Sequence, residues 1–360
     1  MRQKGCWIAG ARKWMAAGLL LATAHAAGDF RAWGQAPAGS TSTTATTWTV
    51  TIVLPPRLVA GQPATLAVLG TDGKLARGVE VDLGQGAHVR TDPIGRAYFT
   101  VPTREKYLIA KSQGSSTAAL VDEAPSTPAS EIAVDARVSL KDTFSICGGG
   151  FAGDAEANRV QLRGEPALVL AASPECIVVL ASPQTKPGTA AVSVKTPAGE
   201  RTGETTLVAL QYEAPEPPLL AQKKSRLVVT AEGTEAPIRI RIQNESPGVL
   251  QFLHGDQQEL NTSGGSPNRA SFEVEAIRSG DYSFQARIVP LADTADAGRY
   301  LDAALPLAGE NPGKELKKLA QRLKRHPRDA AKVQAELDYI LNTVMAGDLR
   351  TLLVAARNSL

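Results

Sequence analysis

The chain has 360 residues, 43% hydrophobic, 21% charged and 5% aromatic, enough for two or three domains with their own cores and too apolar for a disordered or collagen-like protein. Gly (32) and Pro (23) exceed the roughly 12% of average usage, which favours many short strands over long helices. The net charge of +3 rests on Arg2, Lys4, Arg12 and Lys13; without these four, 35 basic residues face 36 acidic ones, and such a balance gives no global footprint for nucleic acid.

Residues 1–13 are basic and lack acids, and Ala16–Ala24 form a short apolar core ending in Ala24-His25-Ala26. This three-part pattern predicts a secretory signal over 1–26 with cleavage near Ala26. A membrane anchor is the competing reading, but the run is about half of the roughly 20 residues a bilayer span needs. Cys6 lies upstream of the apolar core, where it cannot serve as a lipidated residue. Two cysteines then remain, Cys147 and Cys176. In an exported chain an even pair favours a disulfide. A redox-active pair lacks the C-x-x-C spacing and the flanking base that would make a thiolate.

A Ser/Thr-rich tether is expected over 27–46. From Trp48 onward short alternating runs appear: Thr49–Leu54, Ala64–Leu69, then Val79, Val81 and Leu83 between acids, Ala97/Phe99/Val101, and Tyr107–Ala110. Asp72-Gly73 supplies a turn with positive φ, and Asp92-Pro93-Ile94-Gly95 suits a type I turn. Strands every 8–12 residues predict a small β-sandwich over 47–123. Its pieces Ala60-Gly61-Gln62-Pro63, Asp72-Gly73, Gly78-Val79-Glu80-Val81 and Thr91–Phe99 resemble the bacterial Ig-like domains of cell-surface proteins. That resemblance implies a fold and no particular ligand.

A Pro- and Ser-containing linker over 124–134 precedes a second strand-rich unit, 135–212. Gly148-Gly149-Gly150-Phe151, Val160–Gly164, Ser173-Pro174, Ile177–Val179 and Pro187–Val194 resemble an IPT/TIG domain, an Ig-like family found in surface receptors, adhesins and polysaccharide-acting proteins. Both cysteines fall inside it, where a bridge would staple the sandwich across about one sheet-to-sheet distance. A further linker is expected at 213–222, around Pro215-Glu216-Pro217-Pro218. Beyond it, Ile238/Ile240/Ile242, Phe272/Val274 and Tyr282/Phe284/Ala286 alternate with polar residues and predict a third sandwich over 223–291. Ser279–Phe284 resembles the tyrosine corner of Ig-like domains, which implies a Tyr282 hydroxyl bonded to backbone.

After 292 the period becomes helical. Asn311-Pro312 reads as an N-cap and first turn, followed by the stripe Leu316/Leu319/Leu323. His326-Pro327 ends that helix, Val333, Leu337, Ile340, Leu341 and Val344 mark a second, and Asp348 caps a third. A tail of this size has little core of its own, so it is expected to pack on itself and the third sandwich, or on a partner.

Candidate chemistry is sparse. A Ser, Cys or Thr nucleophile needs a base, and His88, His254 and His326 lie in strand, turn and helix-end contexts where a surface histidine is the commoner role. No H-x-x-x-H, G-x-S-x-G, P-loop or dinucleotide fingerprint occurs, and paired glycosidase carboxylates leave no spacing signature. Asp293 with Asp296, or Asp154 with Glu156, suggests calcium, against the plainer reading of helix-start or turn acids. Glycan stacking needs exposed rings, whereas Phe99, Phe272 and Phe284 sit at core positions and Trp48 is the lone tryptophan in a folded unit. Lys317, Lys318, Arg322, Lys324 and Arg325 form a basic helix face, either a contact for an anionic partner or a solvated surface.

The resulting reading is a mainly β protein of three tandem Ig-like β-sandwiches with a small α-helical C-terminal tail. It is exported to the periplasm, cell surface or medium, is non-enzymatic and needs no cofactor. It acts as a cell-envelope binding or structural module through protein–protein contacts, with envelope proteins as partners, no nucleic acid and no transmembrane span. The alternatives are a cell-surface carbohydrate-binding protein, with polysaccharide as ligand, and an accessory subunit of an envelope enzyme or secretion assembly.

Overall fold

A computed structural model describes residues 50–129, 131–213, 222–344 and 346–360. The signal segment, the tether, Trp48 and Pro215–Pro218 lie outside the described residues. The first sandwich comprises β1 (Thr51–Val53), β2 (Arg57–Val59), β3 (Pro63–Leu69), β4 (Glu80–Asp82), β5 (His88–Arg90), β6 (Arg96–Thr100), β7 (Tyr107–Ser112) and β8 (Ser115–Asp122). One sheet runs β1-β3-β6 and the other β2-β8-β7-β4-β5, with β2 parallel to β8. Between them lie Leu58, Leu66, Val81, Phe99 and Leu108. The turn at Asp92 forms as the sequence requires: Gly95 adopts φ 77° and donates its N–H to the Asp92 carbonyl, a conformation that favours glycine.

The second sandwich comprises β9 (Ala133–Val134), β10 (Arg137–Ser139), β11 (Thr143–Cys147), β12 (Arg159–Leu162), β13 (Glu165–Ala172), β14 (Cys176–Leu180), β15 (Gly188–Thr196) and β16 (Gly199–Tyr212). On β15 burial alternates residue by residue, as a half-buried strand demands. Strand β13 pairs with β12 on one side and β14 on the other, with a register shift between Val169 and Ala171. Cys147 and Cys176 form a disulfide with Cα atoms 4.1 Å apart. The expected staple between sheets is corrected here. The two residues face each other on the adjacent antiparallel strands β11 and β14, and 4.1 Å is far less than the roughly 10 Å between packed sheets. The bridge closes a loop spanning 29 positions, so replacing both cysteines by alanine is expected to lower stability by about 2–4 kcal/mol. A fall in the urea midpoint at unchanged slope is the checking measurement.

The third sandwich comprises β17 (Lys224–Glu232), β18 (Arg239–Asn244), β19 (Leu250–Phe252), β20 (Gln257–Asn261), β21 (Asn268–Ala276) and β22 (Phe284–Ile288). Its β20-β18-β22 sheet covers a sheet formed by β19, β21, β17 and the end of β16. Strand β16 serves two cores. Gly199–Leu207 pairs with β15, whereas Ala209–Tyr212 pairs with β17, and Val208 and Leu210 are buried with Leu227, Ile240 and Phe272. The linker expected at 213–222 therefore joins two strands paired within the third sandwich and does not separate two units. The tyrosine corner is also corrected: Tyr282 is half-buried and its hydroxyl has no hydrogen-bond partner among the described residues. Tyr212 instead packs edge-on against Phe284, with ring centroids 4.8 Å apart.

Four helices follow: α1 (Thr294–Ala304), α2 (Glu310–Arg325), α3 (Ala330–Thr343) and α4 (Asp348–Asn358). Helix α2 starts before Asn311, with Gly309 as N-cap. Pro312 is tolerated in this first turn because the leading N–H groups have no intrahelical acceptor. Asp348 is the first residue of α4, after Gly347. Leu316, Leu319 and Leu323 are buried with Leu301, Leu337 and Leu352, as the stripe predicts. Among the described residues no helix is long and apolar enough to cross a membrane.

Candidate functional site

The helical unit contributes most to the arrangement of the molecule, because it joins the two ends of the row of sandwiches. The expectation that it packs on itself holds, but its larger sandwich contact is with the first unit. Ile109 on β7 and Leu120 on β8 enter the helical core. Around them, the Arg57 Nε donates to Asp296 Oδ2 at 3.1 Å and its Nη2 donates to Oδ1 at 2.8 Å, a two-point guanidinium–carboxylate pair. Arg299 reaches Asp122 at 2.6 Å and Lys111 reaches Asp348 at 2.5 Å. Burial pushes the Asp296 carboxyl above the usual range, assisted by Asp293 and opposed by Arg57.

On the other side Glu259 of β20 holds the third sandwich to the helices. Its Oε1 accepts from Arg241 Nε at 2.5 Å and lies 3.5 Å from Arg357 Nη2, while Oε2 lies 2.6 Å from Arg239. Arg357, on α4, also donates to Asp338 on α3 at 2.9 Å. Burial pushes the Glu259 carboxyl up, but the three arginines outweigh it and hold it below the ordinary carboxylate range. A lowered native value means that this stabilisation is complete above the ordinary glutamate value of about 4.3 and is lost as pH falls through the native one. Stability measured between neutral pH and strong acid is therefore expected to fall more steeply in the natural chain than in Glu259→Gln.

The first and second sandwiches are locked in turn. Val53, Ala67, Leu170, Ala171 and Val178 form a shared apolar cluster. Thr65 donates its hydroxyl to the Gly153 carbonyl at 2.7 Å, and Arg96 Nη2 donates to the Val169 carbonyl at 2.5 Å. A Cβ on Gly153 would stand 2.1 Å from the Pro63 carbonyl oxygen. Gly153→Ala must therefore move one sandwich off the other, and a loss of about 1–3 kcal/mol in thermal or urea unfolding is expected.

Of the residues singled out in the sequence, His88, His254 and His326 are exposed and far apart in the chain. Asp293 is the N-cap of α1, accepting from Ala295 and Asp296 N–H groups. Asp154 caps the turn Ala155–Ala157 in the same way. Both are helix-start acids, and among the described residues no three metal-ligating side chains converge. Phe99, Phe272 and Phe284 are core residues, while Tyr98, at 60% exposure, is the one exposed ring of the sandwiches among the described residues.

The basic face of α2 is largely engaged within the helical unit. Lys318 pairs with Glu315 at 2.7 Å, Lys324 with Asp302 at 2.9 Å, and Arg322 with Glu336 of α3. Lys317 and Arg325 are exposed, with no ion pair among the described residues. Tyr339, on α3 three residues beyond Glu336, is 74% exposed. Nothing in the sequence distinguished it from the apolar residues of its helix.

Two clefts open at junctions between units. One of about 740 Å3 lies between the first sandwich and α1, lined by Arg104, Tyr107, Asp122 and Arg299 among others. The second, of about 410 Å3, lies where the second and third sandwiches meet the helices.

No family model and no curated protein matches this chain. Among solved structures it is similar to SGBP-B of the Bacteroides ovatus mixed-linkage glucan utilization locus, in complex with a mixed-linkage heptasaccharide. That match has 14% identity over 65% of this chain and 73% of that one, with a TM-score of 0.23. It is similar also to the N-terminal four Ig domains of Dscam1 isoform 7.44 (10% identity, 67% and 72% covered, TM-score 0.22). The I9-I11 tandem from titin matches at 9% identity, with 66% and 95% covered and a TM-score of 0.19. At these values the likenesses carry no argument about function.

Proposed function

We propose that this chain is an exported, non-enzymatic binding and structural module of a cell envelope, working through contacts with other proteins on the outer face of its helical unit. The observation that carries this reading is the use already made of the helices' apolar side. Leu316, Leu319 and Leu323 are buried in a core shared by all four helices, which Ile109 and Leu120 of the first sandwich also enter. A partner therefore meets the exposed side of the helices, which carries Tyr339 on α3 and Lys317 and Arg325 on α2. Tyr and Arg are the residue types that most often anchor protein contacts.

The test is crosslinking capture from the producing cell's envelope extract, comparing the full chain with Tyr339→Ala and with the charge reversal Lys317→Glu/Arg325→Glu. One protein captured by the natural chain and lost in both variants is the expected result. Retention of polysaccharide alone, equal in all three, would replace this reading with a glycan-binding one. Removal of the tail is a poor probe, because it would also strip Ile109 and Leu120 of their cover.

A further inference from the structure

We propose that the cleft at the meeting point of the second sandwich, third sandwich and helical unit binds an oxyanion head group, phosphate or carboxylate, that carries a short apolar chain. This inference is independent of the envelope-partner reading, since its residues and probes are different. The cleft is open to solvent and has a volume of about 410 Å3, within the range of small-molecule sites, which favour junctions between domains. Three guanidinium groups line it, one from each unit: Arg137 of β10, Arg239 of β18 and Arg328 just ahead of α3. Arg239 is already committed to Glu259. Arg137 and Arg328 have no ion pair among the described residues.

Planar guanidinium forks match the geometry of phosphate and carboxylate oxygens, and half-buried Arg137 and exposed Arg328 bring two of them to one cleft from separate units.

Beside Asn261, much of the remaining wall is apolar. Ile238 and Val289 lie on it, and Leu291 stands at 74% exposure, an aliphatic side chain left in water beside a charged recess. A ligand with an anionic head and an apolar tail satisfies both parts. Asp135 is the one acidic side chain of the lining, which also includes Leu360 with its terminal carboxylate. The Asp135 carboxylate has no ion pair among the described residues, so it opposes an anion in the cleft and would attract a cation.

That opposition makes the proposal falsifiable without relying on loss of folding. The full chain would be titrated calorimetrically with hexyl phosphate, hexanoate, inorganic phosphate and hexanol. Saturable one-to-one binding of hexyl phosphate or hexanoate is expected, whichever is tighter identifying the head group, with inorganic phosphate weaker and hexanol not binding. Arg137→Gln and Arg328→Gln should each weaken binding about tenfold or more. Asp135→Asn, by removing a like charge, should tighten it about three- to fivefold. The proposal is overturned if neither anionic probe binds at millimolar concentration, if hexanol binds equally well, or if Asp135→Asn weakens binding.

Discussion

Glu259→Gln is expected to destabilise the folded chain by about 3–5 kcal/mol, although glutamine has the same shape. The glutamate is 15% exposed and faces Arg239, Arg241 and Arg357. Removing its charge leaves three guanidinium groups close together, and Arg357 is 7% exposed, too buried for water to compensate. Breaking a buried ion pair from one side costs this much because a desolvated charge loses its partner: Arg241, 18% exposed, is left without an ion pair among the described residues, while Arg357 keeps Asp338. The loss should concentrate where the third sandwich meets α3 and α4, so amide exchange in those helices ought to accelerate more than in β3 or β6. Urea unfolding supplies the magnitude. A change under about 1 kcal/mol, the scale of exposed pairs, would show that the cluster behaves as a surface ion pair and that the junction is held by other contacts.

Leu301→Ala should be comparably damaging, at about 2–5 kcal/mol. Leu301 of α1 is fully buried in the core that includes Ile109 and Leu120 of the first sandwich. Its truncation removes apolar contact on both sides of the seam and leaves a cavity that helices tied to a sheet cannot readily close. Leu301→Met keeps the volume and should cost less than about 1.5 kcal/mol. If the two variants unfold at the same urea concentration, the seam is not packed as described. If Leu301→Ala produces two separate transitions instead of one, the helical unit and the first sandwich are independent folding units, contrary to the shared core.

Much of the fold is legible in local periodicity. Alternation on the strands around Phe272, Ile240 and Val192 is a period-two signal that depends on neighbouring residues, and the structure buries those positions. The stripe at Leu316, Leu319 and Leu323 is the helical equivalent. A disulfide is legible from the Cys147 and Cys176 pair left once the expected signal segment is set aside, but whether it joins sheets or adjacent strands depends on the β11–β14 register.

The junctions left a signal of another kind. Strands buried on both faces lose alternation and read as continuous apolar runs. Leu108-Ile109-Ala110 is such a run: Leu108 and Ala110 enter the first sandwich, while Ile109 enters the helices. Val169-Leu170-Ala171-Ala172 is another, with Val169 and Ala172 in the second core and Leu170 and Ala171 against the first sandwich. These runs state that a second cover exists, but not which element supplies it.

Residue order therefore established the parts of this protein: three strand-rich sandwiches, one cysteine pair, and amphipathic helices at the end. Each rests on interactions within a few residues, or on a count. How the parts meet depends on residues between 73 and 239 positions apart, and local pattern carries no information about such separations. Arg57 finds Asp296 across 239 positions and Arg241 approaches Asn358 across 117. The path of the chain in space determined that the helices return to the first sandwich, that β16 supplies two cores, and that Arg137, Arg239 and Arg328 border one cleft.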